Sequence, residues 1–179
     1  EPGTALLQMD TTVEWLDEVA TIQLGDVMVA SEDVTDPYHS GGGLSTDGAD
    51  GQWFGMVGRK NEAAIALLSD TEPWPSSVVG DLLTDIGPVI AGIGNPMLMD
   101  NGSQTQFSRY LGVGPDLAAL TDAWYLRRGV ETESISGTVM DGSEGVSGAR
   151  VHVMNEDGAV LTMAHTDEVG SWSAQVPAG

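Results

Sequence analysis

Three histidines, His39, His152 and His165, are the side chains that titrate near neutrality without help, and the chain has no cysteine. Without cysteine there is no thiolate nucleophile, no disulfide and no zinc–thiolate site, although the compartment is not decided by that. A serine hydrolase would set one of the histidines beside a nucleophile, yet no Gly-x-Ser-x-Gly elbow occurs. His152 falls inside the strand-like run Ala149–Met154 and His165 just after Val160–Ala164, positions that suit sheet residues. His39 follows Asp36 and Tyr38 in a polar stretch and is the histidine best placed to meet a ligand. A nucleophile, an oriented base and oxyanion donors are not found together around it, so no catalytic residue is assigned.

Two groups of carboxylates stand out. Asp70 and Glu72 flank Thr71 just before Pro73-Trp74-Pro75. An aromatic plate beside carboxylates is a common way to hold a sugar ring. Trp53 and Trp74 are the candidates for such a plate, whereas Trp124 and Trp172 read as core. The candidate ligand-binding residues are therefore Tyr38, His39, Trp53, Asp70, Glu72 and Trp74, with carbohydrate as the ligand class. The second group, Asp33, Asp36, Asp47 and Asp50, lies in a glycine-rich stretch where calcium is the ion such a loop would take. Its spacing is not that of an EF-hand and it lacks a bidentate Glu, so a solvated polar turn accounts for it better than a calcium site does. No other cofactor is indicated. The run Gly41-Gly42-Gly43 is not followed by the Lys-Ser/Thr of a phosphate cradle.

The elements that would position these residues are mostly strands. Twenty-four glycines and eight prolines punctuate 179 residues, spacing that favours short strands over long helices. Thr12–Leu16, Ala20–Leu24 and Val27–Ala30 read as two or three strands broken at Gly25-Asp26, and residues 31–52 as one long loop. Trp53–Val57 and Ala63–Leu68 form an expected hairpin, the second arm apolar enough to be covered on both faces. Between Val78 and Ile93 helix and strand patterns compete. Gln104–Val113 alternates as a strand, and residues 116–128 change to helical spacing through Leu117, Leu120, Ala123, Trp124 and Arg127. Asp116 opens that helix, and Arg127-Arg128-Gly129 closes it with cations at its negative end and a glycine beyond.

After Gly129 the pattern changes, which places a boundary between residues 1–130 and 131–179. Runs at 134–139, 149–154, 160–164 and 171–176 read as four short strands, with Asp141-Gly142 and Asp157-Gly158 supplying hairpin turns. Ile135-Ser136-Gly137-Thr138-Val139, then Val146-Ser147-Gly148-Ala149-Arg150-Val151-His152-Val153, then Thr166-Asp167-Glu168-Val169-Gly170-Ser171-Trp172, then Val176-Pro177-Ala178-Gly179 resemble, in order and spacing, the carboxypeptidase-regulatory-like, prealbumin-like repeats. That resemblance implies an antiparallel sandwich and a spacer or stalk role. The strands that usually follow the Pro-Ala-Gly turn are missing, so completion by another chain or by the first domain is expected. Ala66–Thr71, Phe107–Gly114 and the helix through Ala123-Trp124 are similar to the accessory β-domain that precedes such repeats in bacterial PHP-type metal-dependent hydrolases. The clustered His and Asp ligands of that family's catalytic domain have no counterpart among these three histidines.

Charge narrows the partners. Twenty-seven acids against six bases give −21. Residues 1–130 hold 19 acids and five bases, and the rest eight acids and one base, Arg150. Nucleic acid is disfavoured, because neutralising phosphates takes clustered cations. An acidic surface favours solubility, suits a saline habitat and can attract divalent cations. No apolar run approaches the ~20 residues of a membrane span, and Glu1–Thr4 lacks a signal-peptide pattern. The sequence thus reads as a processed chain or an internal piece.

The expected fold is mostly β: a β-sandwich-like N-terminal domain with one helix near its end, followed by a partial prealbumin-like antiparallel β-sandwich. The expected role is a non-catalytic structural or binding module of an extracellular or envelope protein. Its partners would be other protein chains or other domains, with assembly by β-strand addition into a multimer or filament. The alternatives are an accessory fragment of a PHP-type hydrolase and a carbohydrate-binding module.

Overall fold

The computed structural model describes residues 5–22, 25–29, 35–41, 49–58, 63–70, 74–79, 89–93 and 97–178. In chain order the strands before the helix are β1 (Ala5–Glu14), β2 (Ala20–Ile22), β3 (Gly25–Val29), β4 (Thr35–His39), β5 (Ala49–Gly51), β6 (Trp53–Gly58), β7 (Ala64–Ser69), β8 (Trp74–Val79), β9 (Val89–Ile93), β10 (Met97–Met99) and β11 (Gln104–Gly114). Helix α1 (Leu117–Arg128) follows, then β12 (Thr132–Thr138), β13 (Met140–Asp141), β14 (Glu144–Gly145), β15 (Arg150–Met154), β16 (Val160–His165) and β17 (Ser171–Pro177). The fold is mostly β, and its sheets are antiparallel and open, as a β-sandwich-like chain requires. Among the described residues no helix is long and apolar enough to cross a membrane.

The central element is a five-stranded sheet ordered β1-β11-β7-β6-β4. All six residues of β6 are buried, and alternation sends them to two different cores. Trp53 and Val57 join Tyr38, Leu68, Tyr110, Leu117, Leu120, Trp124 and Met163 on one face. Phe54 and Met56 join Leu67 on the other, with Met9, Ile65 and Leu111 packed alongside. A second sheet, β3-β9-β8-β5, has its β9 against β6. The expected hairpin Trp53–Val57/Ala63–Leu68 is the β6–β7 pair, in register from Trp53↔Leu68 to Val57↔Ala64.

Residues 31–52 are not one continuous loop. Thr35–His39 is an edge strand paired with β6, and Ala49–Gly51 pairs with β8. The proline and acids of this stretch read as turn formers, but Pro37 is tolerated because β4 lies at the edge of its sheet, where a missing N–H costs no ladder bond. The ambiguous segment 78–93 contains the end of β8 and all of β9, both strands, and Gly25-Asp26 begins β3 instead of breaking it. β1 starts at Ala5, earlier than its alternation suggested, and pairs with β11 through all ten residues.

Helix α1 follows its sequence signals. Asp116 is the N-cap, its Oδ1 accepting the Ala119 N–H at 2.8 Å. Gly129 closes the helix at φ 66°, and Val130 N–H returns to the Tyr125 carbonyl at 3.0 Å. Two glycines let the helix sit close on the sheet. A Cβ at Gly55 would stand 2.8 Å from the Ile65 carbonyl oxygen and 3.0 Å from Leu117 Cδ2, and one at Gly112 would stand 2.7 Å from Leu120 Cδ2.

Beyond the helix, β12 pairs with β17 and β15 with β16. The β15–β16 turn closes as its Asp-Gly dipeptide suggested: Gly158 has φ 82°, and Asn155 Oδ1 accepts the Ala159 N–H at 2.8 Å. These ribbons do not cover themselves. Ala118 of α1 packs among Val153, Ala164 and Ala174, and Met163 of β16 enters the core of the five-stranded sheet. Gly41, just after β4, forms a β-bridge to Val160, with N–H to carbonyl distances of 2.9 and 3.0 Å.

Met163 is completely buried, so Met163→Ala is expected to destabilise the chain by about 2–5 kcal/mol. Because its core is shared, denaturant unfolding followed by tryptophan fluorescence and circular dichroism should remain one coincident transition moved to lower denaturant. Early melting of the strands after Val130, with the rest unmoved, would contradict a shared core.

Candidate functional site

The polar residues that the fold brings together lie along the seam between the two halves of the sequence. Asp116 serves both sides: while Oδ1 caps α1, Oδ2 accepts the His165 N–H of β16 at 2.9 Å. One helical turn and a half further on, Asp122 Oδ1 accepts the Gln175 N–H of β17 at 3.0 Å. Between them the buried hydroxyls of Thr121 and Thr162 meet at 2.9 Å. At the other end of the seam Arg150, the lone cation after Val130, places Nη1 2.5 Å from Asp36 Oδ2 and Nη2 3.2 Å from the Gly58 carbonyl. Beside it the Tyr38 hydroxyl lies 3.3 Å from His152 Nε2, ring edge to ring face.

Burial sets the electrostatics here. It pushes the Asp122 carboxyl up to about 6, with the Asp116 carboxylate raising it further and the Gln175 N–H opposing. Burial likewise raises the Tyr38 phenol and, with Arg150 adding to it, lowers the His152 imidazole. A cleft of about 500 Å³ opens where α1 meets β16 and β17, with Asp116, Asp122, His165, Asp167 and Trp172 in its lining. Asp167 Oδ1 is occupied by the N–H groups of Val169 and Ser171 in its own turn. The carboxylates of this cleft thus act first as acceptors for backbone N–H groups.

A second polar group lies on the α1 side of β1 and β11. The Tyr110 hydroxyl donates to Asp70 Oδ2 at 2.6 Å, a bond that raises the phenol before burial adds its part. Arg127 reaches both the Tyr110 hydroxyl, at 3.5 Å, and Gln8 Oε1. The Gln8 amide donates to Asp10 Oδ1 at 2.8 Å, and Ser108 donates to the same oxygen at 2.6 Å. Those two bonds hold the Asp10 carboxyl below the usual carboxylate range. A groove of about 370 Å³ runs past Asp10, Asp70, Gln106, Phe107 and Ser108. It offers hydroxyl, amide and carboxylate groups to a polar ligand, but Arg109 already lies over the Phe107 ring at 4.7 Å.

The residues singled out from the sequence are scattered. Tyr38 and Trp53 are core side chains, 0 % and 2 % exposed, and Trp53 offers no plate to solvent. His39 is buried on the opposite face of β4, level with Phe54, and neither ring nitrogen has a hydrogen-bond partner. Asp70 is in the second polar group. Trp74 and Asp50 are placed as backbone, in β8 and β5. Asp36 belongs to the ion pair with Arg150. Glu72, Asp33 and Asp47 lie outside the described residues. Among the described residues no three His, Cys, Asp or Glu side chains are grouped to hold a metal ion. Of the seam, Asp36 and Tyr38 were singled out for other roles, and Arg150, Asp116 and Asp122 were not named as site residues, although Arg150 stood out in the sequence as the single base among eight acids. Asp122 gave no such signal. No protein-family model, characterised protein or solved structure matches the chain.

The Asp122 carboxyl holds its proton more tightly in the folded chain than the ordinary value of 3.8 implies. Its stabilising contribution is therefore complete below that value and is lost as the pH rises through about 6. Asp116, Asp167 and His165 face the same cleft. Asp122→Asn keeps an acceptor for the Gln175 N–H and should raise the melting temperature at pH 7.5 by roughly a few degrees. The gain should vanish below pH 4. A variant that melts lower at pH 7.5 and higher at pH 4 would reverse the assignment.

Proposed function

We propose that the chain is a non-catalytic structural module of an extracellular or envelope protein, acting by assembly with other protein chains. The observation that carries this reading is the seam itself. Asp36, Asp116 and Asp122 each join the two halves of the sequence through a direct hydrogen bond or ion pair. Asp116 and Asp122 line the cleft, yet each is engaged by a backbone N–H from across the seam, and Asp36 is engaged by a guanidinium. A module that transmits load or spaces other domains needs this kind of cross-bracing, because a hinge at the joint would yield first. The excess of acids suits an extracellular surface, where it maintains solubility and discourages indiscriminate association.

Asp36→Asn leaves Arg150 facing a neutral partner in a partly buried place and should cost roughly 1–3 kcal/mol of stability, read by chemical denaturation. The purified chain should show no turnover of ester, glycoside or phosphoester probes. Turnover that disappears in Asp116→Asn, Asp122→Asn or His165→Ala would overturn the structural reading.

A further inference from the structure

The two edges of the five-stranded sheet are treated differently. At β4 the edge carries Pro37, and the chain just past it is bridged to Val160 through Gly41, so little of that edge is open. At the opposite edge β1 pairs only with β11 among the described strands. Its ladder runs without a register shift from Ala5↔Val113 to Glu14↔Gln104, which leaves the outer N–H and C=O groups of a ten-residue straight strand facing away from the sheet. The sequence Ala-Leu-Leu-Gln-Met-Asp-Thr-Thr-Val-Glu has no proline, glycine, lysine or bulge, and Asp10 and Glu14 are the charges that guard this edge. Leu7 on this strand is 61 % exposed.

We propose that β1 pairs antiparallel with β1 of a second copy about a two-fold axis at Met9, joining two five-stranded sheets into one continuous sheet. This deepens the reading of the chain as an assembling module and rests on it. A second copy is favoured because the strand can pair with itself over Ala5–Val13 without opposing like charges, a longer overlap within β1 than registers centred on Gln8 or Thr11 allow. A two-fold axis normal to the sheet keeps each face continuous, so it must pass through a residue and its own copy. Centred on Asp10, the pairing sets that carboxylate against itself and Leu6 against Glu14. Centred on Met9, it sets Met9 on Met9, Leu7 on Thr11, Leu6 on Thr12, Ala5 on Val13 and Gln8 on Asp10, with no like charges opposed. Gln8 and Asp10 already form an amide–carboxylate bond within the strand, at 2.8 Å, and across the axis the same two groups become neighbours.

The opposing force is the charge of −21 on each copy. Salt screens it: the Debye length falls from about 10 Å at 0.1 M to about 3 Å at 1 M. Backbone pairing and apolar contact survive that screening, so the dimer should strengthen as salt is added, unlike a complex held by ion pairs.

Sedimentation equilibrium of the whole chain tests this directly. The mass should rise from 18.7 kDa toward twice that value between low and molar sodium chloride. The register is tested by Gln8→Cys and Asp10→Cys, both at exposed positions in a chain otherwise free of cysteine. Mixed and oxidised at high salt, the two variants should form a disulfide-linked dimer at least about tenfold faster than either alone. Directly opposed residues lie within reach of a disulfide, whereas diagonal ones are roughly 7–8 Å apart. A folded monomer at every salt concentration overturns the proposal while leaving the non-catalytic reading intact, and equal cross-linking in the mixed and separate samples overturns it too. Turnover of a substrate would strike the functional reading and not the pairing.

Discussion

Every residue of β6 is buried, and the apolar residues of β7 point alternately to two cores, so the sheet these strands centre has to be covered on both sides. That requirement organises the rest of the chain. The second sheet brings β9 against β6, and Phe54, Met56 and Leu67 fill one core with Met9, Ile65 and Leu111 alongside. On the other side lies α1, seated closely because Gly55 and Gly112 leave room for Leu117 and Leu120. A single helix of twelve residues cannot cover five strands, and Met163 of β16 occupies part of what remains. The helix in turn presents Ala118 to the ribbons beyond it, so one element serves two cores.

A chain with 27 acids and six bases has few cations with which to balance carboxylates inside its fold. It uses backbone N–H groups in their place. Asp116 is favourable because it sits at the positive end of α1 and satisfies orphan donors there. Arg150 with Asp36 is the one place where the seam uses a guanidinium, and the arginines of the last turn of α1 serve the second polar group around Tyr110. Asp122 has no such support. Its single N–H donor from Gln175 is outweighed by burial and by the nearby Asp116, which is why its proton is retained toward neutral pH.

The helix was legible because its signals are local: a capping Asp, apolar spacing, cations in the last turn and a glycine after it lie within fourteen residues. The β6–β7 hairpin and the four strands after Val130 were legible for a similar reason, each being a short apolar or alternating run between turn formers. Residues 31–52 were misread because tertiary context overrides composition there. Pro37 and the acids around it are turn formers by type, yet one edge of the sheet and the buried ring of Tyr38 suffice to draw Thr35–His39 into a strand. Trp53 could not be told from an exposed plate, since a tryptophan beside a polar stretch looks the same whether its face meets solvent or a core. The seam was illegible as a site because its contacts join residues such as Asp36 and Arg150, more than a hundred positions apart.

Apart from the short β13–β14 pair, the strands after Val130 form two ribbons, β12–β17 and β15–β16, and a lone ribbon of that size is marginally stable in water. Packing the two on each other fully buries Ala164 and Ala174 with Val153, leaves Ile135, Leu161, Trp172 and Val176 partly buried against them, and takes in Ala118 from the helix. Small residues at this contact let α1 approach the ribbons closely enough for Asp116 and Asp122 to reach the backbone of β16 and β17. Larger side chains there would bury more apolar area but would hold the helix away and leave both carboxylates without their donors. The hydrogen bonds of the seam therefore depend on the smallness of the alanines beneath them, Ala118 of the helix among them.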